Sequence, residues 1–208
     1  MKPSQQRSAR GRPRTITLER IADMGAQIGM QNITFVGVAA ALDISHMALY
    51  KYVPSLEALK CLVAEEIFSR WQTPEAIKGK QDGLKDYLLV FTESIREFVK
   101  AHPGLTPYII CKTAATLPML NKINDHQSHI AQVYGIQQRQ ARWLLSTVAF
   151  HCFSVADTVY TVARQGSAAD ALSMEHELIQ GIEALIVGAL VMLKDDTYLD
   201  RDKEESST

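Results

Sequence analysis

Two short apolar stretches with helical spacing, about 34–42 and 46–52, are separated only by Asp43-Ile44-Ser45. A turn that tight forces the second helix to cross the first rather than run beside it. The neighbouring residues suit this geometry. Ala39, Ala40 and Ala41 are small enough for the helices to touch, Ile44 is an apolar plug for the turn, and Leu49 and Val53 are expected to face the core. Asp43 stands where the backbone must turn left-handed, which aspartate tolerates better than most residues with a side chain.

The flanks are marked by capping residues. Thr17 opens a helix carrying Leu18, Ile21, Ala22, Ala26 and Ile28, and Gly29 with Asn32 closes it. Thr34 caps the second helix and Ser45 the third. Pro54 stops the third and Ser55 caps a fourth, which runs through Leu59, Val63 and Ile67 toward Trp71. Beyond residue 83 helical spacing continues almost throughout. It predicts helices from about 84 until His102-Pro103-Gly104, over about 105–115, 117–134, 138–164 and 174–194, with a Gly/Ser/Ala loop at 166–169. No alternating run of useful length appears, so the expected fold class is all-α.

Composition limits the function classes. The chain has 208 residues, 47% hydrophobic and 22% charged, as ordinary globular domains do. No uninterrupted apolar run reaches the roughly 18–20 residues of a membrane span, and the basic N-terminus lacks the apolar core of a secretory signal. Three widely spaced cysteines, Cys61, Cys111 and Cys152, fit a reducing cytoplasm better than a disulfide framework. Charge is divided unevenly: residues 1–60 carry eight Lys or Arg against four acids, and the remainder 14 against 19. A basic front on an acidic body points to a polyanion at one end only.

The third helix presents His46, Met47, Ala48, Tyr50, Lys51 and Tyr52 outward, a donor-rich and slim surface suited to a major groove about 12 Å wide. Amides behind Thr34 and Ser45 suit phosphates, because unpaired N–H groups and helix dipoles favour anions. Ahead of the module, Arg10-Gly11-Arg12-Pro13-Arg14 resembles an AT-hook core, with arginines shaped for the negative minor groove.

Thr34, Val38-Ala39 and the run Leu42-Asp43-Ile44-Ser45-His46-Met47-Ala48-Leu49-Tyr50-Lys51-Tyr52-Val53-Pro54-Ser55, followed by Glu57-Ala58-Leu59, resemble the N-terminal module of the TetR family of transcriptional regulators. Weaker resemblance reaches His102-Pro103-Gly104 and residues 179–188. The resemblance implies phosphate contacts at Thr34, His46, Tyr50, Lys51 and Tyr52, with His46, Met47 and Ala48 nearest the bases. Three positions depart from the family pattern: Leu56 where a phosphate-binding Lys is common, Gly37 where a polar residue is usual, and Asp43 in place of Gly.

The implied organisation is a flexible basic arm (1–14), a three-helix helix-turn-helix domain (15–60), a helical ligand-binding and dimerisation domain (61–195) and a flexible tail (196–208). The implied function is a cytoplasmic regulator, a repressor released from double-stranded, palindromic operator DNA by a small-molecule ligand. Because one short recognition helix makes few contacts, a homodimer is expected. Its seam is expected on Leu178, Ile182, Leu185, Ile186, Ala189 and Leu193, widened by Ile179, Val187 and Leu190. Candidate ligand contacts are Phe91, Tyr108, Met119, Trp143, His151, Phe153, Asp157 and Tyr160.

No cofactor and no metal is expected, since His126 and His129 lack converging ligands. The thiols are expected to be inert for want of clustered positive charge. No phosphate loop, nucleophile elbow or metal spacing suggests an enzyme. An architectural DNA-binding protein without ligand control is the alternative, and a helical enzyme a more distant one.

Overall fold

A computed structural model describes residues 16–76, 83–111 and 113–195. The arm with Arg10, Arg12 and Arg14 and the tail from 196 lie outside the described residues. Within them the chain forms nine α-helices and no strand.

The first four build the N-terminal module: α1 (Leu18–Ile28), α2 (Phe35–Ala41), α3 (His46–Leu49) and α4 (Leu56–Arg70). Each starts on the hydroxyl expected to cap it. Thr17, Thr34, Ser45 and Ser55 accept from the amides of Arg20, Gly37, Ala48 and Ala58 at 2.9–3.3 Å. Gly29 (φ 84°) ends α1, and Asp43 (φ 58°) takes the left-handed turn ahead of Ile44. Helix α1 lies tightly on α4: a Cβ placed on Gly25 would stand 2.2 Å from Val63 Cγ2.

Two details of the module differ from expectation. Regular helix in α3 stops at Leu49 rather than near Tyr52. Lys51 and Tyr52 follow in a tightened turn, their amides reaching back to the carbonyls of Ala48 and Leu49 at 3.3 and 3.0 Å. Of the three alanines only Ala39 is buried, because three consecutive residues cannot share one helix face. Val38 fills the remaining space in the core.

The body comprises α5 (Gly83–Ala101), α6 (Thr106–Ile110), α7 (Leu117–Tyr134), α8 (Gln138–Ala163) and α9 (Ala168–Lys194). Helix α9 begins six residues before the expected 174. Ser167 and Asp170 form a reciprocal capping box there, so Ala168 and Ala169, expected in the loop, belong to the first turn of the helix. A single apolar cluster runs from Ile21 in α1 to Leu193 in α9. The domain boundary expected after residue 60 falls inside the uninterrupted helix α4. A second junction joins the parts, where Gly104 (φ 81°) sits against Met30 and Gln31.

The expected seam on α9 needs correction. Leu178, Ile182, Ile186, Ala189 and Leu193 are buried within the chain itself, against α8 and α5. Of the expected seam Val187 is exposed, and the rest of the exposed apolar surface lies elsewhere: Leu172, Val191 and Met192 on α9, with Phe150, Val155 and Val162 on α8. By length and composition α9 is also apolar enough to cross a membrane, with most of its apolar window uncovered by this chain. Gln180 and Glu183 interrupt its apolar run.

Candidate nucleic-acid interface and ligand cavity

The residues singled out for DNA that the structure describes lie at the start of α2, on α3 and in the turn after it. His46, Met47, Lys51 and Tyr52 are exposed, Met47 at 63% of its surface, while Ala48 is half-buried behind them. Tyr50 is anchored rather than free: its ring stacks on Phe35 at 4.3 Å between centroids and 16° between planes, leaving the phenol end outward. Thr34 and Ser45 are exposed and accept from the third amides of α2 and α3, those of Gly37 and Ala48. Each helix start is thus solvent-exposed and leaves unpaired N–H groups. Leu56, exposed in the first turn of α4, brings no charge to this face.

Behind the module lies a cavity of about 280 Å³, open on one side and bordered by the end of α4 and by α5–α8. Its aromatic walls are Phe68, Trp71, Phe91, Phe150 and Phe153. Trp71, the residue that closes α4, is the hub. Its ring stacks on Phe98 at 5.0 Å and on Phe91 at 6.1 Å, meets Phe153 edge-on at 5.9 Å, and its Nε1 donates to Ser94 Oγ at 3.0 Å.

The polar side of the cavity comes mainly from α7 and α8. Lys122 reaches across to the end of α4, its ammonium donating to the carbonyls of Phe68, Ser69 and Trp71 at 3.1, 2.7 and 2.6 Å. Those carbonyls lie at the end of α4, where amide partners run short, although the Phe68 carbonyl also accepts from the Trp71 amide at 3.2 Å. Burial lowers the lysine pKa from its ordinary value. His126 Nε2 stands 2.5 Å from the Tyr87 hydroxyl. Burial pushes this imidazole down to about 4 and the tyrosine up, so the phenol donates to a neutral ring. Gln127, fully buried, donates to Ser146 Oγ at 3.2 Å and pins α7 to α8.

Of the eight residues expected to touch ligand, Phe91 and Phe153 line this cavity. The other six lie elsewhere. Tyr108 is turned toward the module, its hydroxyl donating to Glu57 at 3.4 Å. Met119 is packed in the core. Trp143 packs half-buried against the same core. His151 is exposed on α8, with Nδ1 2.8 Å from the Thr147 carbonyl, beside a separate groove between α8 and α9. Asp157 is half-buried on α8 outside the cavity. Tyr160 is buried, its hydroxyl donating to Glu175 at 3.3 Å within a cluster that includes Arg96 and Lys100. Trp71, Lys122 and His126 were not among the expected contacts. The sequence signal for them was slight: an aromatic at a helix end, and polar residues on a helix already rich in them.

The thiols differ from one another. Cys152 is buried, which pushes it up to about 12, and donates to the Thr92 carbonyl at 3.5 Å. Exposed Cys111 is lowered by its hydrogen bond with Thr113.

No protein-family model and no curated protein sequence matches the chain. Solved structures do. Apo ActR from Streptomyces coelicolor superposes with a TM-score of 0.67 at 17% identity, covering 86% of this chain and 99% of that one. The chain has the TetR-family fold. A TetR variant from Acinetobacter baumannii AYE, solved with minocycline, matches with a TM-score of 0.63 at 18% identity over 85% of this chain and 95% of that one. ActR with actinorhodin gives 0.59 at 16% identity over 92% of this chain and 90% of that one. Similarity to TetR-family structures thus extends through both the module and the body, not the helix-turn-helix alone.

Proposed function

We propose that this chain is a sequence-specific DNA-binding regulator, a repressor released from its operator when a small molecule enters the cavity. One observation carries the reading. The last turn of α4, with Phe68 and Trp71, walls the cavity, while the first turn of the same helix belongs to the helix-turn-helix. A ligand that repositions Trp71 therefore acts on the module through one rigid element. Similarity to ActR and TetR, which are solved with actinorhodin and minocycline, supports the ligand-responsive part. The DNA contacts are assigned to His46, Met47 and Ala48 at the bases and to Thr34, Ser45, Tyr50, Lys51 and Tyr52 at phosphates. Arg10, Arg12 and Arg14 are assigned to the minor groove.

The working form is a homodimer joined through α8 and α9. Gly181, Ala184 and Gly188 are exposed near Val187 and Val191, and a Cβ at either glycine would meet nothing within 4 Å. Small residues flanked by apolar ones let a second helix approach closely. Two copies placed this way cover the apolar surface that a single chain leaves open, which explains α9 without a membrane.

The test is a footprint on the DNA upstream of the protein's own gene, with and without cellular metabolite extracts. Protection of a two-fold symmetric site, released by an extract fraction, is the expected result. Binding without sequence preference, or protection indifferent to every fraction, would favour an architectural protein instead.

A further inference from the structure

The cavity is cationic without being neutralised. Lys122 and Arg142 both border it, and no described residue in its walls is Asp or Glu. Among the described residues, Lys122 has only neutral carbonyls as hydrogen-bond partners. Arg142 is exposed and makes no ion pair among the described residues. Helices α7 and α8 are joined by a short turn and run antiparallel, with register set by Gln127 on Ser146. Lys122 precedes Gln127 and Arg142 precedes Ser146, so the cations stand toward opposite ends of the wall. Lys122 is at the α4 end, beside Phe68, with its ammonium 5.7 Å from that ring.

We propose that the cavity takes a compact aromatic carboxylate, its rings against Trp71, Phe91 and Phe153 and its acid group on the Lys122 ammonium. This rests on the ligand-responsive reading above and narrows it to one chemical class. Three facts favour an acid. Lys122 is already partly desolvated, so a carboxylate gains a charge-assisted hydrogen bond without the full cost of stripping the ammonium of water. A neutral amide only exchanges one ammonium–carbonyl hydrogen bond for another of the same kind, with no gain in charge attraction. An amine meets two cations and no counter-charge, and apolar walls leave that repulsion poorly screened. Arg142, unpaired on the exposed side, supplies positive potential that draws an anion in.

The same contact carries the response. An ammonium has three donors, and in this structure all three serve the carbonyls that end α4. A carboxylate that takes one or two of them leaves the α4 end partly unheld. Ligand-bound and ligand-free states then differ in which acceptors Lys122 serves, and the acid biases that equilibrium.

The probes are 2-naphthoate, 2-naphthamide and 2-naphthylmethylamine, of similar size and differing in charge. In a Trp143→Phe background Trp71 is the one remaining tryptophan and its fluorescence reports binding. Naphthoate is expected to bind at least ten-fold more tightly than the amide, with the amine weakest and the acid preference falling with added salt. Lys122→Met should cut the preference to the few-fold that Arg142 supplies, and Lys122→Arg should restore part of it. Arg142→Gln should weaken the acid a few-fold and leave the amide unchanged. Equal binding of acid and amide overturns the proposal, as does a folded Lys122→Met protein that keeps the full acid preference. Should Lys122→Met fail to fold, the three-probe comparison on the Lys122 protein decides alone. Release of operator DNA by the amide or amine as well as by the acid overturns the acid assignment while ligand control stands. Silence from all three probes also overturns it, and ligand control is then judged by the metabolite fractions.

Discussion

Burial holds the His126 imidazole at about 4, against an ordinary 6.5, and this ties stability to pH. An unfolded chain takes up that proton near 6.5 while the folded chain refuses it until about 4. Stability is therefore fully present above 6.5 and drains away as pH falls toward 4. His102, also lowered by burial, acts with the same sign. Glu175 is lowered chiefly by its hydrogen bond to Lys100, so its contribution is lost only below the usual carboxylate range. Urea midpoints at pH 7.5 and pH 5 isolate the histidines: the wild-type midpoint should drop, and His126→Gln should shrink the drop without abolishing it. Asp43 offers a second test at this scale. Its φ of 58° suits Asp or Gly and opposes a β-branched side chain. Asp43→Val should cost about 1–2 kcal/mol in chemical denaturation, with Asp43→Gly close to neutral.

Among the elements, α1 and α4 meet with the least slack. Gly25→Ala drives a methyl into Val63 Cγ2, a fully buried and stiff side chain, so α1 must shift. A loss of about 1–3 kcal/mol is expected in equilibrium unfolding. Pairing it with Val63→Ala should lose less than the two single changes added together. Element starts were legible in the sequence because each of these helices begins on a hydroxyl residue, and Thr17, Thr34, Ser45 and Ser55 all cap as their spacing suggested. The start of α9 was not. Ser167 and Asp170 cap it inside a run of Gly, Ser and Ala whose composition reads equally as loop. The end of α3 was misplaced for a related reason: a turn bonded over three residues has nearly the same apolar spacing as one bonded over four.

In the whole molecule, exposed apolar surface on α8 and α9 makes assembly the property to measure. Val191 is 54% exposed, so Val191→Glu should leave the protomer folded. Sedimentation should then show a monomer, and operator affinity should fall by at least ten-fold because two half-sites are no longer bound together. The stripe expected to form the seam proved to be core, since periodicity identifies a face that must be buried without saying by which chain. The cavity was half-legible for the same reason. Phe91 and Phe153 face it, whereas Met119 occupies ordinary core and Tyr108 reaches toward α4. Lys122 and Trp71 stand 51 residues apart, and only the fold brings the ammonium onto that carbonyl. No local pattern encodes such a meeting.

Helix α4 has 15 residues and neither proline nor glycine within it, so it bends little and acts as a lever about 22 Å long. A tilt of only about 5° about its Trp71 end would move the Ser55 end by roughly 2 Å over that length. In a symmetric pair the two displacements would add or cancel according to their direction. Spacing between the recognition helices would then change by up to twice that amount, while the major grooves they must enter stay a fixed helical repeat apart. A rearrangement too small to disturb the packing of the body would thus be large enough to put two reading heads out of step with DNA.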